Sequence, residues 1–274
     1  MAKDKAKEEQ GEMSFLEHLE VLRWHIVRSV VAIFILTIVL FTQKSWLVDG
    51  ILLGPAQTDF FTYAFFCEWS GRLWNGSTFC MDVMPFTLLN VEMAGQFSVH
   101  IWVSLIGGFI FAFPYMLWEV WRFVKPGLHA TEQTSSRWLI LVCSVLFLLG
   151  VIFAYYLIVP LSVQFLGGYT LSESVTNQIT ISSYLSTVSS ILLACAVLFE
   201  LPMVIFFLSK LGIVTPEWMR KYRKHALVVT LILSAIITPP DLSSQVLVSI
   251  PVLFLYEISI YVSKYVHRKR MKAA

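Results

Sequence analysis

Residues 138–160 read WLILVCSVLFLLGVIFAYYLIVP, and no charged side chain interrupts this run. A helix needs about 20 apolar residues to cross the hydrocarbon core of a bilayer, so this run is long enough to span a membrane. Residues 24–41, 97–118 and 184–208 form three further runs of similar character. The pattern predicts an all-α, polytopic membrane protein.

Composition indicates the same class. Of the 274 residues, 57% are hydrophobic and 14% are charged, whereas roughly 25% are charged in ordinary soluble proteins. The mean hydropathy is +0.72. A chain with 21 Phe, 10 Tyr and 9 Trp cannot hide its apolar surface in a water-soluble domain, which excludes soluble, disordered and small disulfide-stabilised proteins.

Two shorter apolar runs, residues 226–238 and 246–261, are separated by Pro239, Pro240 and Asp241. As helices they would reach about 20 and 24 Å, less than a full hydrocarbon core. They either form a re-entrant pair or cross where the membrane is thinner. We expect the second arrangement, which gives six transmembrane helices with the last two short.

Lysine and arginine indicate the topology. Only Lys44 and Arg72 fall on one side of the predicted spans. The other 18 of these 20 residues lie in residues 1–28, 119–137, 210–224 and 264–274. Because positive charge marks the cytoplasmic face, both termini are expected in the cytoplasm, which requires an even number of spans. The net charge of +2 gives no indication of nucleic-acid binding.

We expect one membrane domain over residues 1–274. Residues 1–23 should form a cytoplasmic tail and surface helix, residues 24–263 the six-helix region, and residues 264–274 a basic cytoplasmic tail. Ser14 and Glu17 fit a capping box that starts the surface helix. Because the N-terminal stretch lacks a small-residue cleavage site, we expect it to stay as part of the protein.

The four cysteines divide between the long outer loop and the predicted spans. Cys67 and Cys80 lie in the loop, where an oxidising exterior would permit a disulfide between them. Cys143 and Cys195 fall within spans and are expected to pack as apolar residues. No Cys/His cluster indicates a metal, and we expect no cofactor.

Glu200 is the sharpest polar feature inside a predicted span, because ionisable side chains are costly there. Pro202 follows two residues later and should kink the helix. One interpretation is a protonated Glu200 bonded to a neighbouring helix. The other is an acceptor for a polar group of a partner helix or a substrate. His100 and Glu257 are weaker cases, for which bonds within the protein suffice.

Carboxylates also mark the predicted cytoplasmic face. Glu17 and Glu20 are three residues apart and share one face of a helix, while Glu132 follows a Pro-Gly turn and should begin the next helix. Capping alone explains Glu17, and the helix dipole explains Glu132. These carboxylates could also bind a cationic ligand, for which guanidinium is the natural partner because its planar fork pairs with carboxylate.

Five motifs follow one another between residues 15 and 265, and both their residues and their order matter for the comparison below. They are Phe15-Leu16-Glu17-His18-Leu19-Glu20-Val21-Leu22-Arg23, Phe123-x-x-Pro126-Gly127-Leu128-x-x-x-Glu132, Phe153-Ala154-Tyr155-Tyr156 with Pro160, Phe199-Glu200-Leu201-Pro202, and Thr238-Pro239-Pro240-Asp241 with Gln245. The set resembles the TatC family, the core receptor of the twin-arginine protein translocase.

The resemblance implies a function in protein export. TatC proteins bind signal peptides that carry an arginine pair and, with the single-span subunits TatA and TatB, move folded proteins across the membrane on the proton-motive force. It also implies a bacterial inner-membrane location, self-association, contact with membrane lipid, and no enzymatic activity.

Site residues are assigned from the same resemblance. The signal-peptide site is expected at Glu17, Glu20, Arg23, Phe123, Pro126, Gly127, Leu128 and Glu132. An intramembrane polar site is expected at Glu200 with Pro202, and contacts with partner helices at Thr238, Asp241 and Gln245.

One position departs from the family pattern. The family usually has Glu where this chain has Val21. Glu20 is adjacent but rotated by about 100° on a helix, and Glu17 lies one turn further back. Either could take over the second guanidinium, and the sequence leaves the choice open.

Two other classes compete with the translocase interpretation. A small-solute transporter would show interrupted helices in two related halves, but the sequence has no internal repeat. An intramembrane enzyme would need a nucleophile with its base, or metal ligands at helical spacing, and the H-E-x-x-H and G-x-S-x-G motifs are both absent. The order of the five motifs favours the translocase over both.

Overall fold

The computed structural model describes residues 15–74, 84–124, 136–172, 177–237 and 242–271. These residues are mostly helical, as predicted. In chain order, the α-helices are α1 (Phe15–Thr42), α2 (Phe61–Trp74), α3 (Gly95–Val124), α4 (Ser136–Phe153), α5 (Val159–Gly168), α6 (Ile181–Phe199), α7 (Leu201–Leu211), α8 (Pro216–Lys221), α9 (Arg223–Ile237) and α10 (Leu242–Met271). The remaining elements are the π-helical turns Ser45–Leu52 and Ala154–Ile158, the 3-10 turn Gly54–Ala56, and the strands β1 (Thr87–Leu89) and β2 (Gln178–Thr180).

Among the described residues, five stretches are long and apolar enough to cross a membrane, and all four long predicted runs lie within them. The five are Leu19–Thr42, Gly95–Phe123, Trp138–Gly168, Ile181–Leu211 and Gln245–Arg268. The other predicted span corresponds to α9, which has 15 residues and is therefore about 22 Å long. The count of six spans remains a prediction.

The last helix is longer than predicted. Helix α10 has 30 residues, because it continues past Tyr261, where the apolar run ends, to Met271. Lys and Arg are good helix formers, so the basic end of the chain extends the helix without extending its apolar part. The prediction of two short final helices therefore holds for α9 and is wrong for α10.

Helix α1 differs from the expected arrangement at the N-terminus. It begins at Phe15 and continues without a break to Thr42, so the described residues contain no separate surface helix before the first span. Its 28 residues measure about 42 Å, whereas the hydrocarbon core is about 30 Å thick. The first turns of α1 can thus lie outside the hydrocarbon as an extension of the spanning helix.

The chain divides into two compact units, of which the first comprises Met1–Thr42 and Ser104–Ser144. Within this unit, α1 and α3 approach closely at Gly108. A Cβ atom added there would lie 2.4 Å from Thr37 Oγ1 and 2.9 Å from the Thr37 backbone nitrogen. Glycine therefore sets the packing distance of these two helices, as small residues do at membrane helix contacts.

The second unit comprises Gln43–Val103 and Val145–Ala274. Hydrogen bonds from tyrosine hydroxyls connect the segment before α2, residues 43–60, to the helical elements of this unit. Tyr63 donates to the carbonyls of Pro55 at 2.9 Å and Pro160 at 3.0 Å. Tyr155 and Tyr184 each donate at 2.8 Å to carbonyls of the first π-helical turn. Much of the predicted outer loop is therefore ordered structure.

Strands β1 and β2, which were not predicted, form a parallel pair in which Leu88 lies opposite Ile179. Phe86, just before β1, packs on the end of α5 at Gly167. A Cβ atom added to Gly167 would lie 2.2 Å from the Phe86 ring. Close contact with a glycine thus places β1 beside the segment that follows α5.

Serine side chains line the contacts of α10 with α7 and α9. Ser209 donates to Ser263 at 2.8 Å, and Ser249 donates to Ser234 at 3.0 Å. These hydroxyls are small enough for close helix packing, and in their buried positions they bond to each other. They hold the last helix against its neighbours in the second unit.

Candidate functional site

A buried carboxylate, Glu119, joins α1 to α3 in the first unit. Its side chain is only 3% exposed. A hydrogen bond of 2.5 Å connects Glu119 Oε2 to Nδ1 of His25 in α1, and Tyr115 donates its hydroxyl to Oε1 at 3.0 Å. Because a buried carboxylate is costly unless it is bonded, these partners stabilise the contact between the two helices.

Two arginines flank the same carboxylate. Arg28 in α1 has its Nη1 atom 3.9 Å from Glu119 Oε2, and Arg122 in α3 has its Nη1 atom 3.6 Å from Oε1. Both arginine side chains are about half exposed, at 48% and 54%. The buried Glu119 thus lies beneath two cationic groups that reach the surface of the unit.

His25 also contacts Phe123, the first residue of the F-x-x-P-G-L motif. The two ring centroids are 6.2 Å apart in an edge-to-face arrangement, a favourable geometry for aromatic rings. His25 lies two positions after Arg23, the last residue of the N-terminal motif. The first unit therefore brings together the two motifs assigned to one site, although they are far apart in sequence.

Glu20 and Arg23 are exposed on α1. Their carboxylate and guanidinium groups are 3.7 Å apart, and each side chain is about two-thirds exposed. The Arg23 guanidinium also lies 5.7 Å from the centre of the Trp24 ring. An exposed pair of this kind contributes little to stability, so Glu20 can exchange Arg23 for another cation at low cost.

The structure describes part of the sequence-assigned site. Glu17 lies in the first turn of α1. The residues that fall outside the described part of the chain are Pro126, Gly127, Leu128, Glu132, Thr238, Asp241 and Cys80. Their assignments stay predictions. Cys67 is disulfide-bonded, whereas Cys143 and Cys195 form no disulfide and are buried, as expected.

Glu200 lies at the break between α6 and α7. Pro202 lacks a backbone N–H and cannot continue the helical bonding pattern, so the helix stops at Phe199 and restarts at Leu201. The predicted interruption is therefore confirmed. The Glu200 carbonyl accepts bonds from the Met203 and Val204 N–H groups of α7, and the Oε1 atom of the Glu200 side chain is buried.

Two other polar residues of the second unit have partners within the chain. The Gln245 side chain donates to the Leu231 carbonyl of α9 at 3.1 Å, so it links the last two helices. Glu257 accepts a bond of 2.7 Å from Arg223. Bonding within the protein explains the position of Glu257, although its partner is Arg223 and not Lys264, which the sequence places near it.

His25 and Glu119 were not predicted as site residues. The predicted second span ends at Trp118, which leaves Glu119 in the cytoplasmic segment, whereas α3 continues to Val124. The sequence holds one indication of a buried carboxylate, because Glu119 lies between Trp118 and Trp121 in a stretch that is still apolar. Within the described residues, no group of three or more His, Cys, Asp or Glu side chains is placed to hold a metal ion.

Long apolar helices with buried polar clusters define a multi-pass membrane protein. Residues 17–251 match the family model for the Sec-independent protein translocase protein TatC. The chain belongs to the TatC family, a component of the twin-arginine protein translocase and not an enzyme family. The resemblance seen in the sequence is confirmed, and the interpretations as a solute transporter or an intramembrane enzyme are set aside.

Similar proteins match over almost their whole length. A TatC protein of Blattabacterium sp. subsp. Periplaneta americana is 40% identical over 268 residues, which cover 96% of this chain and 100% of the relative. A TatC protein of Halalkalibacterium halodurans is 33% identical over 263 residues, with 96% and 94% covered. A crystal structure of the twin-arginine translocase receptor TatC has 31% sequence identity and a TM-score of 0.67, with 91% of this chain and 99% of that chain covered.

Proposed function

We propose that this chain is the receptor subunit that binds signal peptides carrying an arginine pair at the cytoplasmic face. One observation carries the proposal: the His25 ring contacts both Glu119 and Phe123. This contact holds the end of α3, where the F-x-x-P-G-L motif begins, against the part of α1 that carries Glu20 and Arg23. Binding groups from both motifs can therefore act on one peptide.

Carboxylates supply the recognition chemistry in this proposal. Glu132 binds one guanidinium of the peptide. Glu17 or Glu20 binds the other, because this chain has Val21 where the family usually has a glutamate. The Phe123 ring packs beside the bound pair. Each carboxylate accepts two parallel N–H bonds from the planar guanidinium, which a lysine ammonium cannot provide.

The membrane topology that accompanies this site has six spans and cytoplasmic termini in a bacterial inner membrane. Helix α9 is the fifth of these six spans. The distribution of 18 of the 20 Lys and Arg residues supports this orientation. Because α9 is only about 22 Å long, the bilayer should be thinner around it, which would lower the barrier to a large polar cargo.

Partner contacts are proposed in the second unit. TatA- and TatB-type subunits place a polar residue of their single span near Glu200, because burying two polar groups together costs less than burying either alone. The Thr238, Asp241 and Gln245 region contacts the same partners. Export uses the proton-motive force, and copies of the chain associate with each other.

Site-specific photocrosslinking tests the receptor role. A photoreactive residue at position 123 or 132 should crosslink a signal peptide that carries Arg-Arg. A peptide with Lys-Lys should crosslink at least tenfold less, since losing one bidentate bond costs about 1.5–3 kcal/mol. Glu132→Gln should reduce the Arg-Arg product to the same level, and comparing Glu17→Gln with Glu20→Gln assigns the second carboxylate.

The control is Glu92→Gln, which removes an exposed carboxylate from the second unit and should leave crosslinking unchanged. Equal crosslinking of the Arg-Arg and Lys-Lys peptides would reduce the site to a general cation-attracting surface. Crosslinking that survives Glu132→Gln together with both α1 variants would contradict the proposed carboxylates.

A further inference from the structure

Arg28 and Arg122 approach a single carboxylate from two helices, but neither forms a normal hydrogen bond with it. Their Nη1 atoms lie 3.9 and 3.6 Å from the oxygens of Glu119, whereas charge-assisted N–H···O bonds are about 2.7–2.9 Å long. The oxygens are already used by His25 and Tyr115. Glu119 therefore attracts the two guanidinium groups without saturating their donors.

The arrangement leaves an excess of positive charge at the surface. Two permanent cations face one carboxylate. Arg28 and Arg122 are 48% and 54% exposed, whereas Glu119 is 3% exposed. An anion that approaches from outside thus meets guanidinium N–H groups first. The planar fork of arginine suits the oxygens of a phosphate group.

Tryptophans place this site at the level of lipid headgroups. Trp24 lies four residues before Arg28 in α1, and Trp118 lies four residues before Arg122 in α3, so each pair shares a helix face. The Trp24 and Trp118 side chains are 53% and 55% exposed. Exposed Trp side chains concentrate at the membrane–water interface, next to the phosphate groups of the lipids.

The geometry points to a binding site for the phosphate of an anionic phospholipid, formed by Arg28 and Arg122 and held open by Glu119. Both arginines lie in stretches able to cross a membrane, Leu19–Thr42 and Gly95–Phe123. Lipid headgroups therefore lie next to these two arginine side chains at the membrane surface. The site uses residues other than the carboxylates assigned to the proposed peptide site.

Native mass spectrometry of the purified full-length protein tests this site. The protein is titrated with phosphatidylglycerol and with phosphatidylcholine of the same acyl chains, and the ratio of bound lipids is measured. Each arginine near an anionic lipid contributes a factor of about five, so Arg28→Gln with Arg122→Gln should reduce the preference for phosphatidylglycerol by at least tenfold. Arg28→Lys with Arg122→Lys should reduce it less, because charge remains and the fork is lost.

A matched control removes two charges elsewhere. Arg220→Gln with Lys221→Gln, two exposed residues of α8, should leave most of the preference intact. An unchanged preference in the Arg28/Arg122 variant, or an equal loss in the α8 variant, would overturn the site. Inorganic phosphate is added in a separate titration, and full displacement of phosphatidylglycerol by it would assign a free-anion site and contradict the lipid proposal. Should the Gln variant fail to fold, the Lys variant gives the decisive comparison.

Discussion

His25 Nδ1 and Glu119 Oε2 are 2.5 Å apart, and this bond joins α1 to α3 across 94 positions of the chain. The imidazole and carboxylate are both buried. Neither side chain would be stable there alone, since a buried polar group without a partner costs about 1–3 kcal/mol. The pair therefore fixes how α1 and α3 meet near Arg23 and Phe123, which belong to the two motifs of the proposed signal-peptide site.

A double-mutant cycle measures this coupling. His25→Ala, Glu119→Ala and the double variant are compared by thermal unfolding in detergent. A hydrogen bond to a charged group contributes about 1.5–3 kcal/mol, so the two single changes should be non-additive by that amount. Crosslinking from position 123 to an Arg-Arg signal peptide should fall in both single variants, because the side chain at position 123 no longer packs on a His25 ring that Glu119 holds in place.

Tyr115→Phe is the control for this cycle. It removes the 3.0 Å bond to Oε1 of Glu119 and leaves the imidazole in place, so crosslinking from position 123 should persist. If the single changes at His25 and Glu119 prove additive, the short bond does not couple the helices, and another contact must hold the end of α3.

Gly108 sets a second contact between the same helices. In Gly108→Ala, the new Cβ atom would lie 2.9 Å from the Thr37 backbone nitrogen, so α1 has to move away. Overpacking of this kind costs about 1–3 kcal/mol, and each kcal/mol lowers the unfolding temperature by about 2–4 °C in a protein of this size class. Differential scanning fluorimetry of the purified protein measures the shift.

Gly50 provides the matched control, because a Cβ atom added there meets nothing within 4 Å. Gly50→Ala should leave the unfolding temperature within about 1 °C, since surface changes usually stay within ±0.5 kcal/mol. Adding Thr37→Ala to Gly108→Ala should rescue stability only partly, as the backbone clash remains. Complete rescue would show that the Thr37 hydroxyl alone causes the strain.

The spans and the helix break at Glu200 could be predicted because their causes are local. Apolar length decides whether a helix can cross a membrane, and the missing N–H of Pro202 interrupts the helix wherever the chain folds. The same reasoning gave the wrong length for α10, since a helix can continue beyond its apolar residues into a basic segment.

The cluster at Glu119 could not be predicted from such patterns. A glutamate at the end of an apolar run is a solvated residue unless another helix covers it, and the covering residue, His25, belongs to a different span. The pairing of β1 with β2 and the tyrosine bonds to the segment before α2 depend on long-range contacts in the same way. Packing of distant segments decides these features.

Tyr63 tests the anchoring of the segment before α2. Tyr63→Phe removes one hydroxyl and leaves the buried carbonyls of Pro55 and Pro160 without this donor, at a cost of about 1–3 kcal/mol. Tyr169→Phe, at an exposed position, should cost much less. Limited proteolysis within residues 43–60 should become faster in the first variant only, and equal rates in both would contradict the anchoring role.

The pKa of Tyr63 gives this anchor a pH dependence. Burial raises the pKa above the ordinary value near 10, so the folded state binds this proton more tightly than the unfolded state. The stability from the hydroxyl is fully present below pH about 10 and is lost as the pH rises towards the folded-state pKa. As the pH rises past 10, the unfolding temperature should fall less steeply for Tyr63→Phe than for the unchanged protein. Identical slopes would show that the hydroxyl is exposed to water in the folded state.

Glu200 tests the proposed contact with partner helices. Its Oε1 atom is buried at the junction of α6 and α7. Glu200→Ala should weaken co-purification of single-span partners about three- to thirtyfold, because a polar contact in a membrane contributes about 0.6–2 kcal/mol. Glu200→Gln keeps a hydrogen-bonding side chain and should retain more of the partner.

The control, Glu217→Ala, changes an exposed residue of α8 and should have no effect. If Glu200→Ala instead keeps full partner binding but unfolds at a lower temperature, the carboxyl group serves α6 and α7 alone, and the partner site must lie elsewhere.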